Sequence, residues 1–319
     1  MSTVKQLEDV STVGGTTLTP TVPPNLNGAP EGGEAGSTGS IGRLILRVFL
    51  ENKLAVVGVA IVVLMVGFCW IGPLFYHTNQ ISVNLYQVTL PPGGSHPLGT
   101  DPSGFDVLGR LMYAGQTSLE VGLAAAAVAT LVGVLWGAIS GYFGGIVDAV
   151  MMRVVDILLS IPSLLLLIVL AVLFSPGKWD LVLIIGFLAF LYPARLVRAE
   201  TLTLRTREYV QAVRVMGGTG RRIVGRHIIP NAIGTIVVNA TFQVADAILL
   251  LAALSYLGLG IQYPQADWGS MLNTGTSYLD NGDWWLLIPA GACIVLIVVA
   301  FNFIGDALRD SLEVRLQQR

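Results

Sequence analysis

The chain has 319 residues, of which 53% are hydrophobic and only 12% charged, and its formal net charge is −2. Soluble domains carry about twice this charged fraction, so the composition excludes an ordinary soluble protein and predicts several membrane spans. Both cysteines lie in apolar runs, which argues against a disulfide-stabilised secreted fold.

Residues 1–40 are rich in Gly, Pro, Ser and Thr and contain almost no large apolar cluster. Such a segment buries too little surface to offset the entropy lost on ordering, so we expect a disordered N-terminal extension. It does not show the charged start, apolar stretch and cleavage site of a secretory signal.

Six apolar runs follow, and each is long enough to cross a hydrocarbon core of about 30 Å as a helix. They lie at residues 54–75, 118–140, 150–174, 181–199, 232–259 and 285–304. We therefore predict an all-α polytopic membrane protein with six transmembrane helices. An even number of spans places both ends of the chain on the same side.

The distribution of charge predicts the orientation. If the N-terminus is inside, every Lys and Arg except Arg110 and Lys178 falls in a cytoplasmic segment or at the cytoplasmic end of a span. The outer loop 261–284 contains aspartates and no basic residue. By the positive-inside rule, both termini and the segment 205–231 are expected to be cytoplasmic.

The outer segment 96–115 reads HPLGTDPSGFDVLGRLMYAG. Asp101 and Pro102 suit the cap and first turn of a helix. Four apolar residues then share one helical face: Phe105, Leu108, Leu111 and Met112. The pattern predicts a short amphipathic helix at the outer surface, either a plain interfacial helix or a docking surface.

Two patterns concern helix packing in the second and third spans. Small residues recur every four positions in the second span, at Ala125, Ala129, Gly133, Gly137 and Gly141. Such a stripe permits close helix–helix approach, within a bundle or between subunits. In the third span Arg153 and Asp156 could pair, since they are one turn apart. A Ser-Ile-Pro-Ser sequence at 160–163 interrupts that span halfway.

The longest polar stretch between two apolar runs is 205–231, RTREYVQAVRVMGGTGRRIVGRHIIPN, in which six arginines accompany one carboxylate, Glu208. Four residues fall at the spacing of one helix face: Tyr209, Ala212, Val213 and Met216. Thr206 is a suitable cap, and Gly217-Gly218 can end the helix in a left-handed turn. The pattern predicts a docking helix; the alternative is an ordinary basic loop.

The fifth span carries a polar stripe, Asn239, Gln243 and Asp246, at i, i+4 and i+7. Polar groups at membrane depth are costly, so they are expected to face a translocation path or to bond neighbouring helices. Both alternatives remain open from the sequence.

The basic segment resembles the EAA loop of bacterial ABC importer permeases. In that loop Glu-Ala-Ala is followed by three residues and a Gly, and then by nine residues and Ile-x-Leu-Pro. Here 211–213 (Gln-Ala-Val) occupy the triplet, and the spacing from Gly217 to Pro230 is kept. Gln211 replaces the Glu of that pattern, Val213 replaces the second Ala and His227 replaces the Ile. The outer segment and the stretch 152–168, MRVVDILLSIPSLLLLI, are similar to the dipeptide, oligopeptide and nickel permeases, with Phe105 where Arg is common.

The resemblance covers nearly all of residues 41–319 and implies a type I ABC importer permease fold, of the second-permease type of peptide systems. It implies a first span with an outer loop at 41–114 and a five-helix core at 115–308. The core contains the coupling loop 201–230, and 309–319 forms a cytoplasmic tail.

The implied function is the permease subunit of a binding-protein-dependent importer for dipeptides or oligopeptides in the bacterial plasma membrane. Its expected partners are a related permease in a heterodimer, two cytoplasmic ATPases, an external substrate-binding protein and membrane lipid, with no nucleic acid. The residues expected to couple it to the ATPases are Glu208, Tyr209, Gln211, Ala212, Val213, Arg214, Met216, Gly217 and Gly218.

The sequence contains no Gly-x4-Gly-Lys-Ser/Thr phosphate-binding loop, so ATP and Mg²⁺ are expected on the partner ATPases. No metal-ligand cluster or nucleophile–base arrangement emerges, and we expect no enzymatic activity and no catalytic residue in this chain.

The alternative function is an ion-gradient-driven transporter or channel subunit. It explains the spans and the polar stripe but not the spacing of the coupling loop. The sequence leaves open dipeptides, longer peptides, nickel chelates and other solutes.

Overall fold

The structure, a computed structural model, describes residues 48–317, with side chains up to residue 312. The predicted extension 1–40 lies outside these residues. In chain order the helices are α1 (Lys53–Phe75), α2 (Val107–Phe143), α3 (Gly145–Leu159), α4 (Ser163–Phe174), α5 (Lys178–Ala189), α6 (Leu191–Leu204), α7 (Glu208–Val215), α8 (Gly220–Tyr256), α9 (Trp268–Tyr278) and α10 (Ile288–Gln317).

The predicted all-α membrane architecture is confirmed for the described residues. Four helices are long and apolar enough to cross a membrane: α1, α2, α8 and the stretch Trp284–Leu312 that leads into α10. Two bent pairs, α3 with α4 and α5 with α6, bring the number to six if each pair forms one span. Apart from two isolated bridges between residues 93 and 106, β structure is absent from residues 48–317.

The third predicted span is broken where the sequence interrupts it. α3 ends at Leu159, α4 begins at Ser163, and the two helices are bent by 83°. Pro162 has no N–H to continue the helix and also disfavours a helical conformation at the residue before it. Ser160 satisfies one freed carbonyl, because its hydroxyl donates to Ile157 O at 2.6 Å.

The suggested pair between Arg153 and Asp156 is wrong. Asp156 instead forms an ion pair with Arg195 of α6, and both side chains are half-exposed. A partner from a neighbouring helix therefore replaces the partner one turn away on the same helix.

The outer segment does not form a separate surface helix, which corrects the amphipathic prediction. Residues 107–115 are the first turns of α2, which begins at Val107 rather than near residue 118, and residues 96–106 form the loop before it. Asp106 is the cap, since its Oδ1 accepts Gly109 N–H at 2.8 Å. Asp101 closes the preceding turn by accepting N–H groups of Ser103 and Phe105.

The supposed apolar face of that segment is buried against the protein. Phe105, Leu111 and Met112 all belong to the core. The Leu111 carbonyl accepts a hydrogen bond from Trp268 Nε1 of α9 at 3.1 Å. The loop before α2 and the start of α9 thus cover the first turns of α2, so these turns do not form an amphipathic surface helix.

A second buried cap holds the start of α9. Asp267 is fully buried, and its Oδ1 accepts the N–H groups of Gly269 (2.8 Å) and Ser270 (3.2 Å). Burial disfavours the charged carboxylate and raises the pKa of Asp267 to about 6, although these hydrogen bonds act in the opposite direction.

α2 occupies the centre of the bundle and packs against α6 through its small residues. A Cβ added at Gly133 would lie 2.5 Å from Pro193 Cβ, and one at Gly141 would lie 2.8 Å from Thr201 Cβ. The stripe therefore permits close approach of two helices of this chain. Of the two packing alternatives, the structure shows the one within the bundle.

Candidate coupling site

The short helix α7 begins one residue later than the predicted cap implies. Arg207, in an extended conformation, is the cap residue. The Thr206 hydroxyl instead donates to Thr203 O at 2.8 Å, at the end of the preceding helix. Glu208 in the first turn and Arg214 in the last turn complement the helix dipole.

The predicted glycine turn after α7 is confirmed. Gly217 has φ of +82°, the left-handed conformation that favours glycine. Gly218 N–H donates to Val213 O at 2.9 Å and Gly217 N–H to Arg214 O at 3.0 Å, the bonding pattern of a Schellman motif. A Cβ on Gly218 would lie 2.6 Å from Val213 Cγ1, so close approach also requires glycine there.

The chain re-enters the bundle directly after this turn. Thr219 is the cap of the first turn of α8, and Pro230 lies in the first turn that follows a π-helical segment, Val224–Ile228. α7 is therefore connected to a span, α8, by only a few residues.

One side of α7 is an exposed apolar surface, which we call the outward patch and define as Tyr209, Ala212, Val215 and Met216. Val215 is 86% exposed and Met216 77% exposed. Ala212 and Tyr209 are exposed beside them. A contiguous apolar surface on a polar segment is typical of a protein interaction site.

The outward patch differs from the predicted face at one position. Val213 is half-buried and packs against the protein, whereas Val215, absent from the prediction, is exposed. The helical spacing of these four residues identified an apolar strip, but it does not show which edge of the strip is buried. The exposure of Val215 could be found only from the packing of α7.

The opposite side of α7 is fixed to three helices. Val210 is fully buried in a cluster with Leu204 of α6 and Ile223 of α8, and the cluster extends to Val134 of α2. Burial of this kind stabilises by about 25 cal/mol per Å² of apolar surface, and here it attaches α7 to the ends of α2, α6 and α8.

Charged contacts reinforce the same end of the bundle. Asp148 of α3 accepts from Arg198 Nε at 2.5 Å and Nη2 at 2.6 Å, and also from the Ser140 hydroxyl. Arg205 Nη1 donates to Gly141 O at 2.9 Å, which satisfies a carbonyl of the last turn of α2. These contacts hold the ends of α2, α3 and α6 together beside α7.

Beside α7 lies a cavity of about 490 Å³, which we call the basic cleft. Its lining residues are Tyr142, Phe143, Arg205, Thr206, Gln211 and Arg214. Gln211 Nε2 donates to Arg205 O at 3.2 Å, and the Arg214 guanidinium lies 5.5 Å from the centre of the Tyr142 ring. On the helix, Arg214 points away from the outward patch.

The three residues of the polar stripe in the fifth predicted span differ in their exposure. Gln243 is buried and donates from Nε2 to Ala189 O at 2.7 Å, an interhelical bond. Asn239 is half-buried, and its Oδ1 lacks a partner among the described residues. Asp246 is exposed on the outside of this chain. The role of the stripe in a path stays a prediction.

The chain matches two known families in separate regions. Residues 133–318, which include α6, α7, α8 and the end of α2, match the family described as "Binding-protein-dependent transport system inner membrane component". Residues 40–92 match the "N-terminal TM domain of oligopeptide transport permease C".

Individual proteins are similar over most of the chain. The oligopeptide transport system permease protein OppC of Bacillus subtilis (strain 168) is 40% identical over 85% of this chain and 88% of its own length. The dipeptide transport system permease protein DppC of the same strain is 38% identical over 84% of each. The probable D,D-dipeptide transport system permease protein DdpC of Escherichia coli (strain K12) is 36% identical over 82% of this chain and 88% of that protein.

Proposed function

The chain belongs to the family of binding-protein-dependent transport system inner membrane components, and we propose that it carries dipeptides or oligopeptides as a permease subunit of an ABC importer. It is a multi-pass membrane permease and not itself an enzyme. The peptide substrate is supported by the names of its relatives, which are oligopeptide and dipeptide permeases.

The importer proposed here contains four further subunits. A second, related permease completes the translocation path, two cytoplasmic ATPases bind ATP and Mg²⁺, and an external binding protein delivers the peptide. The absence of a phosphate-binding loop from the sequence supports the assignment of ATP to separate subunits. In this arrangement both termini and α7 are cytoplasmic, as the distribution of Lys and Arg indicates.

We assign coupling to the outward patch of α7. An amphipathic helix that places its apolar side in a groove is a common mode of recognition, and a groove on an ATPase is the proposed receptor. The observation that carries this assignment is the combination of exposed Val215 and Met216 with fully buried Val210 on the other side. Closure of the ATPase pair would pull α7 and, through its anchors, rotate the ends of the spans as a rigid body.

The test uses the assembled importer in proteoliposomes with ATP inside and no ion gradient. Ala212→Glu places a charge in the centre of the outward patch and should reduce peptide uptake and peptide-stimulated ATP hydrolysis by about tenfold or more, because a buried unpaired charge is costly. Thr203→Glu adds the same charge at an exposed position of α6 and should leave both rates near those of the parent.

Two results would contradict the proposal at different levels. Undiminished uptake with Ala212→Glu would show that the outward patch is not the coupling surface. Uptake that requires an ion gradient and does not depend on ATP would show that the chain is not an ABC importer subunit.

A further inference from the structure

We propose that the basic cleft binds the phosphate group of an anionic phospholipid, and that this lipid holds α7 against the membrane end of α2. This site is separate from the outward patch, on another side of the same helix. It does not depend on which solute the permease carries.

The first argument is charge. The cleft is lined by two guanidinium groups, Arg205 and Arg214, and by no carboxylate. Neither arginine has an ion-pair partner among the described residues. The acid that interacts with Arg205 at longer range, Asp148, already accepts two hydrogen bonds from Arg198. The positive charge of the cleft is therefore left for an external anion.

The second argument is the arrangement of donors. Arg205 is held in place because its Nη1 donates to Gly141 O, and Arg214 is held over the Tyr142 ring. Guanidinium groups have planar forks of N–H donors that match phosphate oxygens. Thr206 and Gln211 also line the cleft; the Thr206 hydroxyl already donates to Thr203 O, whereas Gln211 Nε2 has a second N–H besides the one that it donates to Arg205 O. The two guanidinium groups and this amide N–H are donors that suit a phosphodiester.

The third argument is the apolar surface beside the charge. Phe143, which lines the cleft, is 64% exposed, and Ile146, in the first turn of α3, is 82% exposed. Val150 continues this exposed surface one turn further along α3. A cleft for an acidic protein side chain needs no such extension, whereas a lipid needs an apolar surface for its acyl chains beside its headgroup site.

The fourth argument is location. The cleft lies where α2 ends at Phe143 and where the segment after α6 begins, so it is at the ends of two candidate membrane spans. Basic pockets at the ends of transmembrane helices are favourable places for anionic headgroups. We propose this end to be cytoplasmic, where the anionic lipid would bridge the span and the coupling helix.

The experiment places the purified importer in nanodiscs of phosphatidylcholine, with or without phosphatidylglycerol, and counts the phosphatidylglycerol retained by native mass spectrometry. The parent should retain this lipid on the permease. Arg214→Gln should weaken retention by about fivefold, since one basic residue near an anionic surface contributes on the order of a fivefold change. Arg214→Lys keeps the charge and should restore most of the retention.

A matched control separates this site from general positive charge. Arg222→Gln removes an exposed arginine of the same segment that does not line the cleft, and it should leave retention unchanged. Equal losses in the two Gln variants, or no loss in Arg214→Gln, would overturn the proposal. Glycerol phosphate added to the phosphatidylcholine nanodiscs should not substitute; full substitution would assign the cleft to a soluble phosphate.

The same measurement tests a protein occupant. If Arg214-dependent lipid retention appears only after the ATPases are removed, a carboxylate of a partner fills the cleft in the complex and the lipid assignment fails. Binding is measured without transport, so a failure of the peptide-importer proposal would leave this result interpretable.

Discussion

At the residue scale, the two glycines after α7 show how a local pattern becomes a structural requirement. Gly217 is required by its positive φ, and Gly218 by its distance from Val213. The sequence predicted the turn because Gly-Gly at the end of an amphipathic pattern is a helix-stop signal. The two physical reasons for the two glycines are visible only in the structure.

A matched pair of glycine substitutions tests the turn. Gly217→Ala should cost about 1 kcal/mol locally, since an L-residue is disfavoured in the left-handed region. Gly225→Ala is the control, because Gly225 has ordinary φ and an added Cβ meets nothing within 4 Å. We expect lower peptide-stimulated ATP hydrolysis only for Gly217→Ala. Equal activity of both variants would mean that the turn does not set the position of α7.

Asp267 gives a prediction for the pH dependence of stability. Its pKa is raised from the model-compound value of 3.8 to about 6, so the folded state binds the proton more tightly than the unfolded state. This stabilising contribution is complete below pH 3.8 and is lost as the pH rises through 6. Thermal unfolding of the purified importer should therefore show a contribution, at most about 3 kcal/mol, that decreases between about pH 4 and about pH 6 and is nearly constant above about pH 7.

Asp267→Asn should flatten this part of the pH profile, because the amide keeps the cap but does not titrate. Asp280→Asn removes an exposed aspartate of the same outer loop and should leave the profile unchanged. A profile identical in all three proteins would show that Asp267 does not titrate in this range.

At the scale of elements, α7 has two sides with different tasks. Val210 and Val213 attach it to the bundle, and Val215 and Met216 are available to a partner. The sequence indicated the helix and its apolar character, but it placed Val213 on the docking side. Helical spacing alone cannot distinguish adjacent edges of an apolar strip, because both satisfy the same periodicity.

The same substitution on the two sides should separate these tasks. Val213→Ala should lower the unfolding temperature, as lost methyl groups in a half-buried contact cost about 1 kcal/mol. Val215→Ala should leave the unfolding temperature unchanged and weaken the stimulation of ATP hydrolysis. The opposite result, with Val215 affecting stability and Val213 affecting coupling only, would reverse the assignment of the two sides.

The contact between α2 and α6 is the second feature at this scale that the sequence predicted in part. A Cβ on Gly137 would lie 2.8 Å from Arg198 N and 3.0 Å from Val197 Cβ. The small-residue stripe predicted close packing without naming a partner, because spacing in one helix carries no information about which helix lies against it.

At the scale of the whole molecule, the anchors of α7 predict that it moves together with the ends of α2, α6 and α8. Spin labels at Glu208, in the first turn of α7, and at Phe143, the last residue of α2, should keep a constant separation in nucleotide-free and ATP-bound importers, and both positions are exposed. A change larger than about one helical turn, 5 Å, would show that α7 moves independently of the bundle. The measurement is a double electron–electron resonance distance in each state.

The sequence by itself determined the membrane character, the positions of the apolar runs, the glycine turn and the break at residues 160–163. These features depend on composition, on the length of apolar runs and on backbone restrictions of Gly and Pro, which are all local. The similarity to peptide permeases rests likewise on motifs that are continuous in the chain.

Only the tertiary structure decided which groups meet. Asp156 bonds Arg195 rather than Arg153, Gln243 bonds Ala189, and the supposed outer helix is the buried start of α2. Each of these outcomes depends on a segment distant in the chain that arrives at the same place. Local periodicity limits the possible faces of a helix, but the choice among them belongs to the packing of the whole bundle.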